Sequence, residues 1–273
     1  MLKKIINYFV ANSTKFKNLI AITLYKIGLI PDEYKGMAKS LYFRDQYGKE
    51  FFKSNFLYNK KGFYYLDPMP SSKFLEEYYE KIYWVARTDL TYPVRMRDIE
   101  HFKMIVEFYK EFNSSPKKIL NFGSGHGGTS YLFRAANHSI YNYDFESTKK
   151  KAFEEKWHNI NSLDKINFKF DLIYASHSLE HVNDIDTTIK KFEDISHDKT
   201  IFFFEVPNHY HNKNIHPPHT YYFTRKFFFN SFEKIDFCET FNGNKVVDGE
   251  NGQVIRFHTR SKLKPLKNSP FID

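Results

Sequence analysis

"KKILNFGSGHGGTSYLF", residues 117–133, decides how the rest of the chain is read. A short apolar run ending at Phe122 enters a loop with glycines at 123, 125, 127 and 128, and an apolar pattern resumes beyond Thr129 and Ser130. That is the pattern of a strand, a loop stripped of side chains, and a helix. Glycines here let a ligand reach the main chain, and the start of the helix offers N–H groups to an anion. G-x-G-x-G alone is a weak signal, because any tight strand-to-helix turn uses glycine. The loop has no G-K-[ST] continuation, so it lacks the lysine and hydroxyl that hold a nucleoside triphosphate and its magnesium.

Working outward, 118–122, 139–143 and 170–175 read as strands, with a weaker one near 158–162. The first helix runs from the loop to about 137, and 147–158 and 187–195 follow as helices. The stretch "TIFFFEV", 200–206, is a buried strand, and 234–241 and 253–259 alternate as an antiparallel pair. Alternating strands and helices predict a parallel sheet with helices on both faces, an α/β, Rossmann-like class. Ligands of such sheets bind at the carboxyl ends of the strands. Asp144 ends the second strand, about 20 residues after the loop, the place from which a carboxylate accepts both hydroxyls of an adenosine ribose. The strand in "FDLIYASHSLEHVND", 170–184, ends in a polar cluster of Ser176, His177, Glu180 and His181. Together these features favour an adenosine-containing ligand over a nucleoside triphosphate.

"ILNFGSGHGG", "YNYDFE", "FDLIYASHSLEHV" and "FFFEVPN" stand in the order and spacing of the class I S-adenosylmethionine-dependent methyltransferases, which 117–260 resembles. The resemblance implies a seven-stranded sheet with one antiparallel strand, and S-adenosyl-L-methionine as cofactor. By it Gly123, Ser124 and Gly125 face the methionine part of the cofactor, Asp144 the ribose, and Ser176 and His177 the rim near the sulfonium, with Asn121, Gly127 and Phe145 as further cofactor contacts. Asn121 stands where the family has an acid. The adenine contacts are expected from 157–163, with Trp157, Asn161 and Ser162 as candidates.

Upstream, residues 1–115 are expected to form a helical cap or dimerisation segment, 116–260 the cofactor-binding domain and 261–273 a basic tail. Residues 32–112 read as largely helical, interrupted at 64–72; Ser71 or Ser72 caps the next helix, and a further helix covers 96–112. "GFYYLDPMPSSKFLEEYYEKIYW" resembles the connector that follows a zinc-binding module in sugar-modifying methyltransferases. The single cysteine, Cys238, excludes that module and any disulfide within the chain. Ile5, Ile6, Phe9, Phe16, Leu19, Ile20, Leu24 and Ile27 recur at helical steps, but lysines at 3, 4, 15, 17 and 26 break any membrane span. A helix packed on the domain or on a second subunit, or at most a peripheral membrane helix, is expected, in a cytoplasmic protein without a signal peptide.

A net charge of +9 suits an anionic partner without selecting one. "EVPNHYHNKNIHPPHTYYFT", 205–224, follows the fifth strand and holds His209, His211, His216 and His219. Sugar C-methyltransferases carry Tyr-x-Glu-His-x-x-Tyr-Phe at this place; His219, Tyr222 and Phe223 match, Pro218 replaces the Glu and His216 the first Tyr. The partial loss turns the reading toward O-methylation, with His219 as general base and His181 and His177 behind it. Arg87, Arg95, Glu180 and Tyr222 are the substrate-binding candidates, the arginines for their fork onto phosphate or carboxylate. The histidine spacing matches no standard metal signature, although Glu205 or Asp184 could complete a shell, and no metal is expected. The acceptor is then a small polar molecule, a sugar or a nucleotide- or phosphate-linked sugar of surface polysaccharide or secondary metabolism. An RNA methyltransferase and a non-catalytic cofactor-binding module remain alternatives; no dense basic stripe or Asn-Pro-Pro-Tyr loop supports nucleic acid.

Overall fold

The computed structural model describes residues 23, 26–27, 54–79, 94–110, 115–125, 127–144, 158–160, 162–209, 219–243, 245–247 and 251–260. In chain order these form β1 (Asn55–Asn59), β2 (Phe63–Asp67), α1 (Ser72–Tyr78), α2 (Met96–Lys110), β3 (Lys118–Phe122), α3 (Gly128–Ala135), β4 (Ser139–Tyr143) and β5 (His158–Ile160). Then come β6 (Phe170–Ser176), α4 (Ile185–Asp194), β7 (Ser196–Pro207), β8 (Tyr221–Phe223), α5 (Arg225–Ser231), β9 (Phe237–Asn242), β10 (Lys245–Val247) and β11 (Val254–Thr259), with 3-10 turns at Leu163–Lys165 and Leu179–His181.

The chain divides into two compact units, Met1–Lys53 with Ser72–Leu90, and Ser54–Ser71 with Thr91–Asp273. The division differs from a boundary at 115, because 54–71 and 91–115 belong with the sheet. In the first unit α1 buries Leu75 and Tyr78. Residues 1–22, on which most of the expected N-terminal amphipathic helix falls, lie outside the described residues, as do the predicted helix core 147–157 and the tail.

The second unit is built on an eight-stranded sheet in the order β10-β9-β11-β7-β6-β3-β4-β5. From β7 to β5 the strands run parallel, and β11 enters antiparallel between β7 and β9. The expected seven strands with one reversed are present, and the correction is an eighth, β10, which closes a hairpin on β9. Period-two alternation assigns the faces. Ile119, Leu172, Tyr174, Ile201 and Phe203 pack with Ile105, Phe108 and Tyr109 of α2 and Phe133 of α3. Leu120, Phe122, Ile173, Ala175, Phe202, Phe204 and Val206 point the other way, onto Ile189 and Phe192 of α4 and Phe227 and Phe228 of α5. Each fully buried phenylalanine contributes about 2 kcal/mol by the area it removes from water, so the "IFFFEV" run anchors both layers at once.

A second, three-stranded sheet, β1-β2-β8, corrects the largely helical reading of 32–112. β1 and β2 form a hairpin, and β2 pairs with β8 so that Phe63, Tyr64 and Tyr65 face Phe223, Tyr222 and Tyr221. The turn is fixed by Asn59, whose side chain accepts the Lys61 N–H at 2.9 Å, and by Gly62 at φ 103°. Among the described residues no helix is long and apolar enough to cross a membrane.

Candidate active site

The glycine loop sits at the carboxyl edge of β3, in the middle of the parallel strands. Gly123, Gly125 and Gly127 adopt φ of 71°, 53° and 76°, left-handed values that side chains resist. The Gly123 and Ser124 N–H groups donate to the Tyr143 carbonyl at 2.7 and 3.2 Å, which straps the loop to the end of β4. A Cβ on Gly123 would fall inside the Ser178 side chain, so the loop also touches the turn after β6. Gly127 caps α3 without any side-chain hydrogen bond, leaving the helix start lined by main chain alone. Asp144 is drawn to the same place and accepts the Gly125 N–H at 2.5 Å. The N–H groups of Gly123, Ser124, Gly125 and Gly127 are taken up within the loop, so what the loop offers a ligand is close approach to main chain and the start of α3, with the Asp144 carboxylate, a group suited to ribose hydroxyls, beside it.

Other predicted contacts play different parts. Asn121 lies beneath the loop, buried, donating to Ser130 Oγ at 2.7 Å, while Ser130 donates to Asn142 at 2.6 Å; this chain pins α3 to β3 and β4. Ser162 caps the 3-10 turn that follows β5. Phe145, Trp157, Asn161 and Arg87 lie outside the described residues, as do His211 and His216. The Arg95 N–H donates to Asp98 at the start of α2. Tyr222 is buried in β8, edge-on to Phe56 at 4.5 Å.

The three histidines ranked as bases do meet, around Glu180. Ser176 ends β6 opposite Glu205, and His177 follows at φ 50° with its N–H donating to the Glu205 carbonyl at 2.8 Å. That turn places the His177 ring between two carboxylates, Nδ1 3.4 Å from Glu180 and Nε2 3.2 Å from Glu205. His181 Nε2 is 3.7 Å from Glu180, and the His219 ring stands 4.9 Å from that of His181. The strand β8 explains why His219 arrives here. Its neighbour Thr220 donates both its N–H, at 2.7 Å, and its hydroxyl, at 3.0 Å, to the Glu180 carbonyl. Burial lowers the affinity of His177 for a proton, and the contacts to Glu180 and Glu205 outweigh that and raise its pKa. Burial likewise would raise the Glu180 carboxyl, but the charge of His181 and the His177 contact hold it at about 2.

Beside this cluster runs a buried ionic seam that sequence reasoning did not assemble. Glu205 of β7 faces Arg256 of β11 across the antiparallel register and accepts its Nε at 2.5 Å. His101 of α2 reaches the same carboxylate at 2.8 Å, and Arg97 stands 3.8 Å from its other oxygen. The other His101 nitrogen meets the Tyr174 hydroxyl at 2.8 Å, which leads on to Thr129 and Asp98. Burial keeps His101 below its ordinary pKa despite the Glu205 hydrogen bond. A neutral imidazole must then donate Nε2–H to the acceptor-only carboxylate and accept from Tyr174. Burial would lift the Glu205 carboxyl, and the hydrogen bonds from His101 and His177 hold it well below the usual range. Glu205 therefore belongs to the frame of the site, and Asp184, the other carboxylate considered for a metal shell, caps α4 by accepting the Thr187 N–H.

No curated protein matches the chain. Among solved structures, an S-adenosylmethionine-dependent methyltransferase from Clostridium acetobutylicum ATCC 824 is 14% identical, with a TM-score of 0.49 over 70% of this chain and 98% of that one. A protein from Pyrococcus horikoshii OT3 is 14% identical, with a TM-score of 0.46 over 69% and 99%. Magnesium protoporphyrin IX methyltransferase from Synechocystis PCC 6803, with bound S-adenosylhomocysteine, is 13% identical, with a TM-score of 0.47 over 69% and 98%. The family model described as a methyltransferase domain matches residues 96–263, from α2 through the end of β11. The chain belongs to this methyltransferase family, and S-adenosylmethionine is its cofactor.

Proposed function

We propose that the protein methylates a hydroxyl of a small polar acceptor, a sugar or a nucleotide- or phosphate-linked sugar. One observation carries the reading: His177, His181 and His219 gather round a buried carboxylate at the end of β6, and the loop that cradles the cofactor touches the same turn at Ser178. S-adenosylmethionine supplies a methyl group on a cationic sulfonium. The chain's task is to hold the acceptor oxygen in line with it and to take the hydroxyl proton. An imidazole at the end of β6 is chemically suited to that proton, and a cluster of three offers it a route away. The net charge of +9 suits a phosphate-bearing acceptor.

The test is incubation of the protein with methyl-labelled cofactor and a panel of free and nucleotide-linked sugars, beside total RNA. Label transferred to a sugar hydroxyl, and lost in His177→Ala, is the expected result. Label in RNA alone, or none in any acceptor although the cofactor binds, overturns the reading. Asp144→Ala should weaken cofactor binding by about 1–3 kcal/mol, measured by calorimetry, through loss of charge-assisted hydrogen bonds.

A further inference from the structure

The geometry points to a transition-metal site made by Glu180, His181 and His219. One ligand atom from each of the three lies within 4.8 Å of the others, and the Glu180 Oε1 to His181 Nε2 separation is 3.7 Å. Bonds of about 2.1 Å to a shared ion separate ligand atoms by roughly 3.4 Å at a tetrahedral angle and about 4.2 Å across the ion. The observed separation falls between them, whereas it is too long for a hydrogen bond.

Glu180 gives the second, independent sign. The residue is 1% exposed, and among the described residues its carboxylate oxygens make no well-formed hydrogen bond, meeting only the imidazoles of His177 at 3.4 Å and His181 at 3.7 Å. An ionised carboxylate removed from water and held only by loosely placed imidazoles is costly, and proteins keep one where a cation or a reaction calls for it. Its backbone is held from two sides: the His181 N–H closes the 3-10 turn onto the Ser178 carbonyl at 3.1 Å, and Thr220, just before β8, grips the Glu180 carbonyl. Ligands held before the ion arrives lose little on binding it.

Two imidazoles and one carboxylate form a borderline-soft set, better matched to zinc, manganese, iron or cobalt than to magnesium or calcium. Three protein ligands leave positions open, the mark of a site that meets a substrate. The ion site stands on geometry alone; its assignment to the acceptor rests on the methyl-transfer reading above. In that reading the open positions take a hydroxyl, or a pair of neighbouring hydroxyls, of the acceptor and make the proton easier to remove.

The experiment uses the full chain, stripped with a chelator and dialysed. Calorimetric titration with zinc and manganese salts should show one tight equivalent per chain, with magnesium at least tenfold weaker. Loading with cobalt should give a visible absorption band. Glu180→Gln and His219→Ala should each weaken zinc binding at least tenfold while S-adenosylmethionine still binds, and that binding also shows that the variant has folded. No stoichiometric uptake by the folded wild type, or uptake unchanged in both variants, overturns the site. Metal bound at one equivalent with no sugar methylated leaves the site standing and removes only the acceptor reading; methylation that survives in metal-free protein does the reverse.

Discussion

His258 shows how one side chain couples this fold to pH. It lies in β11 with its ring parallel to Phe237 at 4.8 Å and against Phe108 at 4.2 Å, and its buried Nδ1 has no hydrogen-bond partner among the described residues. An imidazole among phenylalanines cannot easily carry charge, and burial pushes its pKa down to about 4, with Asp236 opposing weakly. In the unfolded chain the same group takes up a proton near the ordinary histidine value of about 6.5. Between those values the unfolded state binds more protons than the folded one, so stability falls as pH drops through the window. His258→Phe keeps the stack and removes the titration. Thermal melts should therefore differ little at pH 7.5, and at pH 5 the variant should be more stable by on the order of 1 kcal/mol, a few degrees. Equal melting shifts at both pH values would show that the ring is not held neutral. The glycines of the loop work at the same scale but without charge: positive φ at 123, 125 and 127 makes a surface of main chain, which is why a strand–loop–helix turn with bare backbone could be read from residue types alone.

At the scale of elements, the three-stranded sheet is the device that brings His219 to the parallel sheet. Its weakest point to substitution is the β1–β2 turn. A Cβ on Gly62 would lie 2.5 Å from the Phe227 nitrogen and 2.7 Å from the Lys226 carbonyl carbon, and Thr224 donates its N–H and hydroxyl to the Gly62 carbonyl at 3.1 and 2.7 Å. Gly243, in the β9–β10 turn, also has positive φ, 58°, but nothing lies within 4 Å of its added Cβ. Gly243→Ala should therefore cost about 1 kcal/mol, for the backbone alone, and Gly62→Ala about 2–4 kcal/mol, because the start of α5 must also move. Urea titrations of the two variants check this; equal losses would mean that the turn is not docked on α5. The hairpin also marks where sequence pattern stops. Strands 118–122 and 139–143 were legible to the residue, the first as a short run buried on both faces and the second by its alternation of buried with half-exposed positions. "NFLYNKKGFYYLD" is aromatic on both sides of its period, and its partner β8 is only three residues long and more than 150 positions away. Asn59 and Gly62 were the readable turn signal. The histidine cluster was legible because Glu180, His177 and His181 are neighbours in sequence, whereas the Glu205–Arg256 pair exists only through the β7–β11 register.

Across the whole molecule, that register joins four elements in one buried seam. Glu205 of β7 holds Arg256 of β11 and His101 of α2, Arg256 reaches Glu100 at 3.6 Å, and Tyr174 of β6 completes the far side. Desolvation offsets much of the attraction within such a group, so its net contribution to stability is modest. Its response to damage is not. Glu205→Leu leaves a guanidinium that is 6% exposed without its carboxylate and should cost about 3–5 kcal/mol. Glu205→Leu with Arg256→Met removes both charges and should recover most of that loss; the remainder falls on Glu100 and on His101, which loses an acceptor. A double-mutant cycle in urea measures the coupling, and additive losses would show that the pair does not act as a unit. Acid separates the seam from His258. Because the folded-state pKa of Glu205 is depressed, its contribution is complete above the ordinary carboxylate value of about 4.5 and is lost as pH falls through the folded value. His258→Phe should then lessen the slope between about pH 6.5 and 4, where His101, also held below its ordinary pKa by burial, keeps a share, and leave the steeper loss below it. The double variant should keep the His258 share of the upper slope, change only the His101 share, and lose part of the lower slope. Two limbs that respond separately to the two sets of substitutions would place the acid sensitivity in two distinct parts of the second unit, one in an aromatic stack and one in a charged seam, both carried by β11.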